Sequence, residues 1–406
     1  MTQNPKVSIV VPTRNRHDTL LHCLRTLIDQ DYDNLEIIVS DNCSAPETRS
    51  VVKTLNSRRI RYVRTPQPCS MSHNFEFALS HVTGEWIAVV GDDDGLLPGG
   101  IKRAITFAHN AGVKAVGSRT IAYNWPSVRE GATPSLEIPW RKGQRIVEAK
   151  NALSDVLRGR KDYRTLPLLY TGGLIHKDLL TAMRPDDGSI IRSQIPDVYS
   201  GFAISSILDQ FVFSEEPWAV GGRSSHSNGL ATLLKFKGKD NAFHTPDLIP
   251  FHTDIPLPDA GTFVFSLEAM QYESYLQTAF LHHNRLGITP EQQLKVILGK
   301  CRPDMRVLLE SWVPKFCQLH GITPGASDDF DKMRDPALKF GATVDKLKYF
   351  LRYYRTFNRS LVELPDVYEA TIEAHRLLAD RPSILKSHAG FARRILSKKF
   401  SGDAGG

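Results

Sequence analysis

The stretch Trp86-Ile87-Ala88-Val89-Val90-Gly91-Asp92-Asp93-Asp94-Gly95-Leu96-Leu97-Pro98 decides how the chain is read. Five apolar residues run straight into three carboxylates, and a Gly and a Pro close the turn before a helical pattern begins. An uninterrupted apolar run of this length reads as a strand covered on both faces of a sheet. The triplet is therefore expected at the C-terminal end of a buried parallel strand, the edge where open α/β sheets bind ligands. Adjacent carboxylates repel one another and have poor strand and helix propensity, and a cation relieves both problems. The alternative is a solvated acidic turn; the apolar entry and the Leu96-Leu97-Pro98 exit argue for a shaped turn instead. Hard oxygen ligands suit Mg2+ or Mn2+, and Mg2+ usually takes one or two protein carboxylates together with substrate phosphates. That points to a diphosphate ligand.

Working outward, Val7-Ser8-Ile9-Val10-Val11 ended by Pro12, and Glu36-Ile37-Ile38-Val39-Ser40 ended by Asp41-Asn42, read as two more buried strands. Between them Leu20, Leu21, Leu24, Leu27 and Ile28 fall on one helical face. Strand, helix and strand at this spacing predict a right-handed crossover and a parallel sheet. Arg61 to Arg64 is expected as a third strand, Ser70 to His81 as a helix, and Pro98 to about His109 as another. Further on we expect a strand near Val113 to Gly117, a Pro-containing loop from Tyr123 to Gly143 and a strand from Leu166 to His176. A helix from Asp197 to Leu208 and one or two short strands within Phe211 to Gly222 follow. After about Gly261 helical spacing dominates, through Leu267 to Leu286, Pro290 to Leu319 and Val344 to Leu364.

Composition narrows the class. The 406 residues allow two to three domains, and 41% hydrophobic with 23% charged residues is ordinary for a globular chain. Five widely spaced cysteines without a CxxC pair indicate neither a disulfide framework nor a cysteine zinc site, and a reducing cytosol fits. No run approaches 18 apolar residues and the N-terminus lacks a basic and apolar leader, so neither export nor a membrane span is expected. Neither G-x-x-x-x-G-K-[ST] nor G-x-G-x-x-G after the first strand is present, which counts against a P-loop or a conventional dinucleotide site.

Four motifs in order carry a resemblance. Val7 to Arg16 with Pro12-Thr13-Arg14-Asn15-Arg16, then Ile37 to Asn42, then His73-Asn74, then Gly84-Glu85-Trp86-Ile87 into the acidic triplet and Pro98, resemble the family 2 glycosyltransferases of the GT-A fold. The likeness is strong over the first 110 residues, looser to about residue 230, and absent from the last third. It implies a mixed, mainly parallel α/β sheet flanked by helices, and an inverting transferase that uses a nucleotide-activated sugar, most often a UDP-sugar, with Mn2+ or Mg2+. On the same resemblance Pro12, Thr13, Asn15 and Arg16 lie at the nucleotide-sugar site, Asp41 at the base, and Asn74, Asp92 and Asp93 beside them. Asp94, with Asp92, is expected to ligate the metal, Asp94 most directly. One departure concerns the commoner D-x-D-D form, which would place its first Asp at Gly91.

An inverting transfer needs a base to take the proton of the attacking hydroxyl. Asp197, at a helix start after Pro196, resembles the family's later acidic position and equally fits a helix-capping role. His226, in the loop Gly221 to Gly229, resembles a histidine that some GT-A enzymes add as a metal or diphosphate ligand; Arg223 in that loop could neutralise phosphate instead. The expected organisation is a GT-A domain over residues 1–260, with 1–115 as the nucleotide-sugar and metal half and 116–260 as the acceptor half. Residues 261–406 form a helical accessory region.

The formal charge of +7 sits in the last third. Residues 345–359 hold five basic residues against one acidic, interleaved with aromatics, and residues 381–406 hold six against one. Both read as basic helices suited to docking on an anionic membrane surface, which makes peripheral association with the inner face of the membrane the expectation. The acceptor implied by the resemblance is a glycan, polysaccharide or lipid-linked saccharide. Two other readings are weighed: a sugar-phosphate nucleotidyltransferase, which would carry a Gly-rich phosphate loop after its first strand, and a nucleic-acid-binding protein, which leaves the acidic triplet without a use.

Overall fold

The run Val7–Thr13 forms β1, and the larger sheet is laid out around it. β1 pairs in parallel with β2 (Leu35–Asp41) on one side and β4 (Trp86–Val89) on the other, and β2 pairs in parallel with β3 (Ile60–Arg64). The helices α1 (His17–Ile28), α2 (Pro46–Thr54) and α3 (Met71–Leu79) connect these strands. The computed structural model describes residues 4–128, 131–185, 188–225, 227, 247–256, 266–281, 285–300, 306–323, 354–358 and 363–381.

Beyond β4 come β5 (Gly95–Leu96), α4 (Gly100–Ala111), β6 (Ala115–Ser118), β7 (Ile121–Asn124), β8 (Ser135–Pro139) and β9 (Gln144–Glu148). Next are α5 (Ala149–Leu157), β10 (Gly173–His176), α6 (Lys177–Ala182), α7 (Pro196–Ile207), β11 (Gln210–Ser214) and β12 (Ala219–Arg223). The last third supplies α8 (Leu267–Gln277), α9 (Pro290–Lys300), α10 (Arg306–Leu319), β13 (Tyr354–Asn358) and α11 (Val367–Ala379). The larger sheet runs β3-β2-β1-β4-β10-β6-β11-β9, parallel at the β3 end, with β10 and β9 antiparallel to their neighbours. A smaller sheet, β13-β8-β7-β12-β5, stands against it. This is the mixed α/β architecture with a C-terminal helical region that the sequence implies.

Strand alternation divides the core. Val7, Ile9 and Val11 face α1 and α4, while Val10, Ile38, Ile87 and Val89 face α3, α5 and α7. Each fully buried Val, Leu or Ile is worth about 1.5–3 kcal/mol, so both faces anchor β1 and β4 and hold the edge where the acidic triplet emerges. Helices α8, α9 and α10 join the second of these layers through Tyr272, Leu294 and Trp312. A third cluster packs α11 against the smaller sheet. Among the described residues no helix is long and apolar enough to cross a membrane.

Three expectations change. Tyr123 to Gly143 is not simply loop: β7 and β8 pair antiparallel there, and their remaining partners are β12 and β13, distant in sequence. Leu166 to His176 is a strand only from Gly173; before it the chain folds back on itself, with Gly173 N donating to Tyr170 O at 2.7 Å. The expected basic helix over 345–359 is corrected at Tyr354–Asn358, a strand paired with β8, where Phe357 lies against Trp140 and Thr356 is exposed. Cross-strand pairing here overrides the helical spacing of basic and aromatic residues. Residues 345–353, 359 and 382–406 lie outside the described residues, so the basic tail does as well. Arg381, at its start, donates to the carbonyls of Trp140 and Arg141 and pairs with Glu216.

Candidate functional site

The register of the parallel strands brings three loops to one edge. Thr13 pairs with Asp41, and Val10 pairs with Val89, so the turn after β1, the end of β2 and the triplet after β4 leave the sheet side by side. Asp92, Asp93 and Asp94 are 2%, 5% and 3% exposed, so the sequence places three buried carboxylates in one turn.

Each carboxylate has a different setting. Arg16 Nη1 donates to Asp92 Oδ1 at 3.0 Å, while Asp92 Oδ2 is buried and, among the described residues, closes no hydrogen bond of good geometry. The Thr13 hydroxyl lies beside Asp92 and likewise closes no hydrogen bond of good geometry. Burial pushes the Asp92 carboxyl above its ordinary range, with Arg16 pulling it back and Asp93 pushing it further. Burial also opposes the charge of Arg16, but Asp92 and Asp93 more than restore it. Asp93 Oδ2 accepts from Ser224 Oγ at 2.7 Å and Ser227 Oγ at 2.6 Å, and Trp125 Nε1 donates to the Asp93 carbonyl at 2.9 Å. Asp94 is enclosed: Oδ1 accepts from Gly222 N at 2.7 Å, and Oδ2 accepts from Gly91 N at 3.2 Å and from Thr171 Oγ1. Burial, and then Asp93, raise its carboxyl.

Two glycines make this packing possible. A Cβ at Gly91 would lie 2.5 Å from Tyr170 Oη and 2.6 Å from Asp94 Oδ2, and a Cβ at Gly222 would lie 1.9 Å from the Asp93 carbonyl oxygen. A side chain at Gly91, where D-x-D-D has its first Asp, would displace the Tyr170 hydroxyl and the inward-turned Asp94.

The nucleotide-side candidates knit the two neighbouring loops. Asn15, with φ of 54°, donates its N–H to Ser44 Oγ at 2.8 Å and accepts from Ala45 N at 2.9 Å, tying the turn after Pro12 to the turn after β2. Asp41 is fully buried: Oδ1 accepts from Ser44 N at 2.9 Å, and Oδ2 accepts from Arg64 Nη1 at 3.0 Å and from the Tyr62 hydroxyl. Asn74 Oδ1, on α3, accepts from Ser40 Oγ at 2.8 Å. Asp41 and Asn74 therefore brace the edge from within. Arg64, about two-fifths exposed over Asp41, is the group next to them that solvent reaches.

Asp197 sits in the first turn of α7, and burial pushes its carboxyl up to about 6. The partly buried Tyr170 connects it with the triplet: burial of its hydroxyl raises that group, as do Asp94, Asp93, Asp197 and Asp92 in falling order. The structure thus brings Asp197 to the same side of the molecule as Arg16, Asp92, Asp93 and Asp94. Arg223 does not face this site free; it forms a two-point pair with Glu137, both contacts at 3.1 Å. His226 lies outside the described residues. Tyr170, Thr171, Ser224 and Trp125 are site residues that sequence reading did not assign: Tyr170 and Thr171 come from the turn before β10, Trp125 follows β7, and Ser224 follows β12 in the loop already singled out for His226 and Arg223.

Residues 8–157 match the family model described as Glycosyl transferase family 2. The chain carries a family 2 glycosyltransferase domain. The chain is 33% identical over 136 residues to the GalNAc(5)-diNAcBac-PP-undecaprenol beta-1,3-glucosyltransferase of Campylobacter jejuni, a stretch covering 33% of this chain and 44% of that protein. It is 28% identical over 110 residues to the succinoglycan biosynthesis protein ExoO of Rhizobium meliloti, covering 27% and 32%. The matches thus span less than half the length of these curated relatives. Among solved structures, residues 1–349 of TarS from S. aureus, in complex with UDP-GlcNAc, superpose with a TM-score of 0.50 at 14% identity, over 84% of this chain and 92% of that one. This chain has that GT-A fold.

Proposed function

We propose that this protein transfers a glycosyl group, with inversion, from a nucleoside diphosphate sugar to a hydroxyl of a glycan, polysaccharide or lipid-linked saccharide, with Asp197 as the base. A UDP-sugar is the first donor to test. The observation that carries the reading is the buried edge itself. Three buried carboxylates share one turn, Arg16 pairs with one of them, and among the described residues Asp92 Oδ2 and Thr13 Oγ1, which lie beside each other, close no hydrogen bond of good geometry. Unpaired buried polar atoms are costly, and a ligand that supplies donors or a cation removes the cost.

The donor set fits a divalent Mn2+ or Mg2+ ion. Among the described residues no group of three His, Cys, Asp or Glu side chains is arranged to hold a metal alone; an ion bound here would complete its shell with substrate phosphates. When bound, such an ion offsets the charge that develops on the departing diphosphate. Because Asp94 already accepts from three groups of its own chain, we assign ligation to Asp92 and Asp93, with Asp94 bracing the turn. Arg16 holds Asp92 in place. Asp197 takes the acceptor hydroxyl's proton as the acceptor oxygen bonds to the anomeric carbon, and the bond from that carbon to the diphosphate oxygen breaks with its electron pair leaving on the nucleotide. With its carboxyl at about 6, Asp197 is ionised at neutral pH and close enough to it to serve as a base.

In this reading residues 1–115 hold the donor and 116–260 the acceptor side, with residues 261–406 as support. The Campylobacter relative's printed name supports a lipid-linked acceptor, which would put the enzyme at the cytoplasmic face of a membrane. The experiment is a thermal-shift and calorimetric screen of nucleotide sugars with and without Mn2+, followed by product analysis. Stabilisation by one nucleotide diphosphate that requires the metal supports the reading. Pyrophosphate rather than nucleoside diphosphate as product would overturn it in favour of nucleotidyl transfer.

A further inference from the structure

The segment that delivers Asp197 to the site, residues 189–196, lies outside the sheet and is bonded from three directions. From α3, Glu76 Oε2 accepts from Ile190 N at 2.8 Å and Ile191 N at 3.0 Å, and Ser72 Oγ donates to the Ser193 carbonyl at 2.7 Å. From the segment 247–256, the Ile249 carbonyl accepts from Gln194 Nε2 at 2.6 Å. From α8, Glu273 Oε2 accepts from Ser193 Oγ at 2.7 Å, and Ser274 Oγ donates to the same hydroxyl at 3.3 Å. Ser193 is fully buried and Glu273 is 1% exposed.

Glu273 is an unusual residue for its place. Helix α8 is buried on all sides from Ala269 to Ser274, and an ionisable group in such a helix is costly unless its acceptor capacity is used. Glu273 uses both oxygens: Oε1 accepts from His252 N at 3.1 Å and Gln277 Nε2 at 2.8 Å, while Oε2 takes Ser193. Burial raises its carboxyl, and the bonds from Ser193, Gln277 and His252 oppose that rise. One side chain therefore joins α8, the segment 247–256 and the approach to α7. It belongs to the last third, well beyond the stretch that matches the family.

We infer that Glu273 is a positioning residue for the base: acting through Ser193 Oγ, it fixes the segment that sets Asp197 at the start of α7. The inference rests on the proposal that Asp197 is the base. Loss of the Glu273 carboxylate frees Ser193, loosens residues 193–196 and lets more water reach the partly exposed Asp197, whose neighbours on this side include Tyr163 and Tyr170.

The test uses the full chain and Glu273→Ala, Glu273→Gln and Ser193→Ala. By carboxyl NMR titration, the Asp197 midpoint should fall from about 6 toward the ordinary Asp value in Glu273→Ala and fall less in Glu273→Gln, whose single amide oxygen keeps one of the two acceptor positions. Turnover, read as UDP release from UDP-glucose and UDP-N-acetylglucosamine with Mn2+ and water as acceptor, should fall in kcat by about 10²-fold, with UDP affinity unchanged. In an Asp197→Asn background, Glu273→Ala should add less than about twofold, because it acts through Asp197. An unmoved Asp197 midpoint, an equal loss in both backgrounds, or weakened UDP binding would overturn the inference. Should Glu273→Ala lack a cooperative melt, Ser193→Ala, which deletes one hydroxyl, carries the same expectations. Full turnover in Asp197→Asn alone would sink the base assignment instead, so the two failures are told apart.

Discussion

The donor edge and the base side of this molecule are built in opposite ways. At the donor edge, Thr13 to Arg16, Asp41 to Ser44 and Asp92 to Asp94 each stand at the end of a buried strand of the parallel half, so strand register lines up their backbones, and distant donors orient only the side chains of the triplet. On the base side, Asp197 stands at a helix start whose approach is tied to α3, to residues 247–256 and to α8, partners between 55 and 121 positions away in sequence. A site half set by register survives many changes elsewhere in the chain. A half set by long-range hydrogen bonds does not. The two halves should accordingly fail in different measurements.

The largest expected effect separates them most cleanly. Asp197→Asn should lower kcat by about 10²- to 10⁴-fold, the range of a positioned base, while metal-dependent nucleotide affinity measured by calorimetry stays within about twofold. The same residue sets the pH profile. A raised carboxyl is protonated, and useless as a base, below about 6, so wild-type turnover should fall about tenfold per pH unit below that point. The residual activity of Asp197→Asn should lack this acid limb.

Asp93→Asn tests the donor edge and should cost about 10²- to 10³-fold in kcat/KM, with the metal-dependent thermal shift lost. Its charge raises the carboxyls of both neighbours, so removing it relieves repulsion while Arg16 keeps Asp92 as partner. The metal-free Tm should therefore rise, by ~2 °C for a gain of about 1 kcal/mol. A fall in Tm would mean that the bonds from Ser224 and Ser227, rather than the charge, are what the fold needs from Asp93.

The same contrast explains what could be read beforehand. The strands around β1, the acidic triplet at a strand end and the helix carrying Asp197 follow from local apolar runs and breakers, which act over a few residues. β7, β8 and β13 were not legible, because each gains its stability from partners far along the chain, and β13 carries a helical-looking spacing of basic and aromatic residues. The roles within the triplet were not legible either. Which carboxylate turns inward is decided by Thr171 and Gly222, donors 77 and 128 positions away, and no periodicity announces them. Asp41, which the resemblance puts at the nucleobase, has both oxygens held by Ser44, Tyr62 and Arg64, partners that no local pattern announces.

A smaller effect probes the close approach of β12 to the triplet. Gly222→Ala puts a methyl group 1.9 Å from the Asp93 carbonyl oxygen, a position that only backbone movement relieves. Overpacking of this kind should cost about 1–3 kcal/mol in urea unfolding. The adjacent Gly221 is the control: its Cβ would meet the Ile121 carbonyl oxygen at 3.8 Å, an ordinary contact, so Gly221→Ala should cost under about 1 kcal/mol. Equal losses would point to a general intolerance of side chains in β12.

The smallest effect concerns how the last third is fastened to the donor edge. Asp366 caps α11, accepting from Tyr368 N at 2.8 Å and Glu369 N at 3.1 Å, and its other oxygen lies 2.9 Å from His22 Nδ1 on α1. Burial would raise this carboxyl, but His22 and the two backbone donors outweigh it and hold it below the usual range. A depressed carboxyl contributes stability above its unfolded pKa of about 3.9 and loses it as pH falls through the folded value. Asp366→Ala should therefore cost ~1 kcal/mol at pH 7, the typical worth of a helix cap, and the gap to wild type should narrow as the pH is taken below about 4. Because α11 packs against β5, directly after the triplet, through Val367 and Thr371 beside Gly95, nucleotide affinity should weaken slightly while the Asp197 midpoint stays where it is. A shift in that midpoint would mean that the C-terminal segment reaches the base side through α11 as well as through α8.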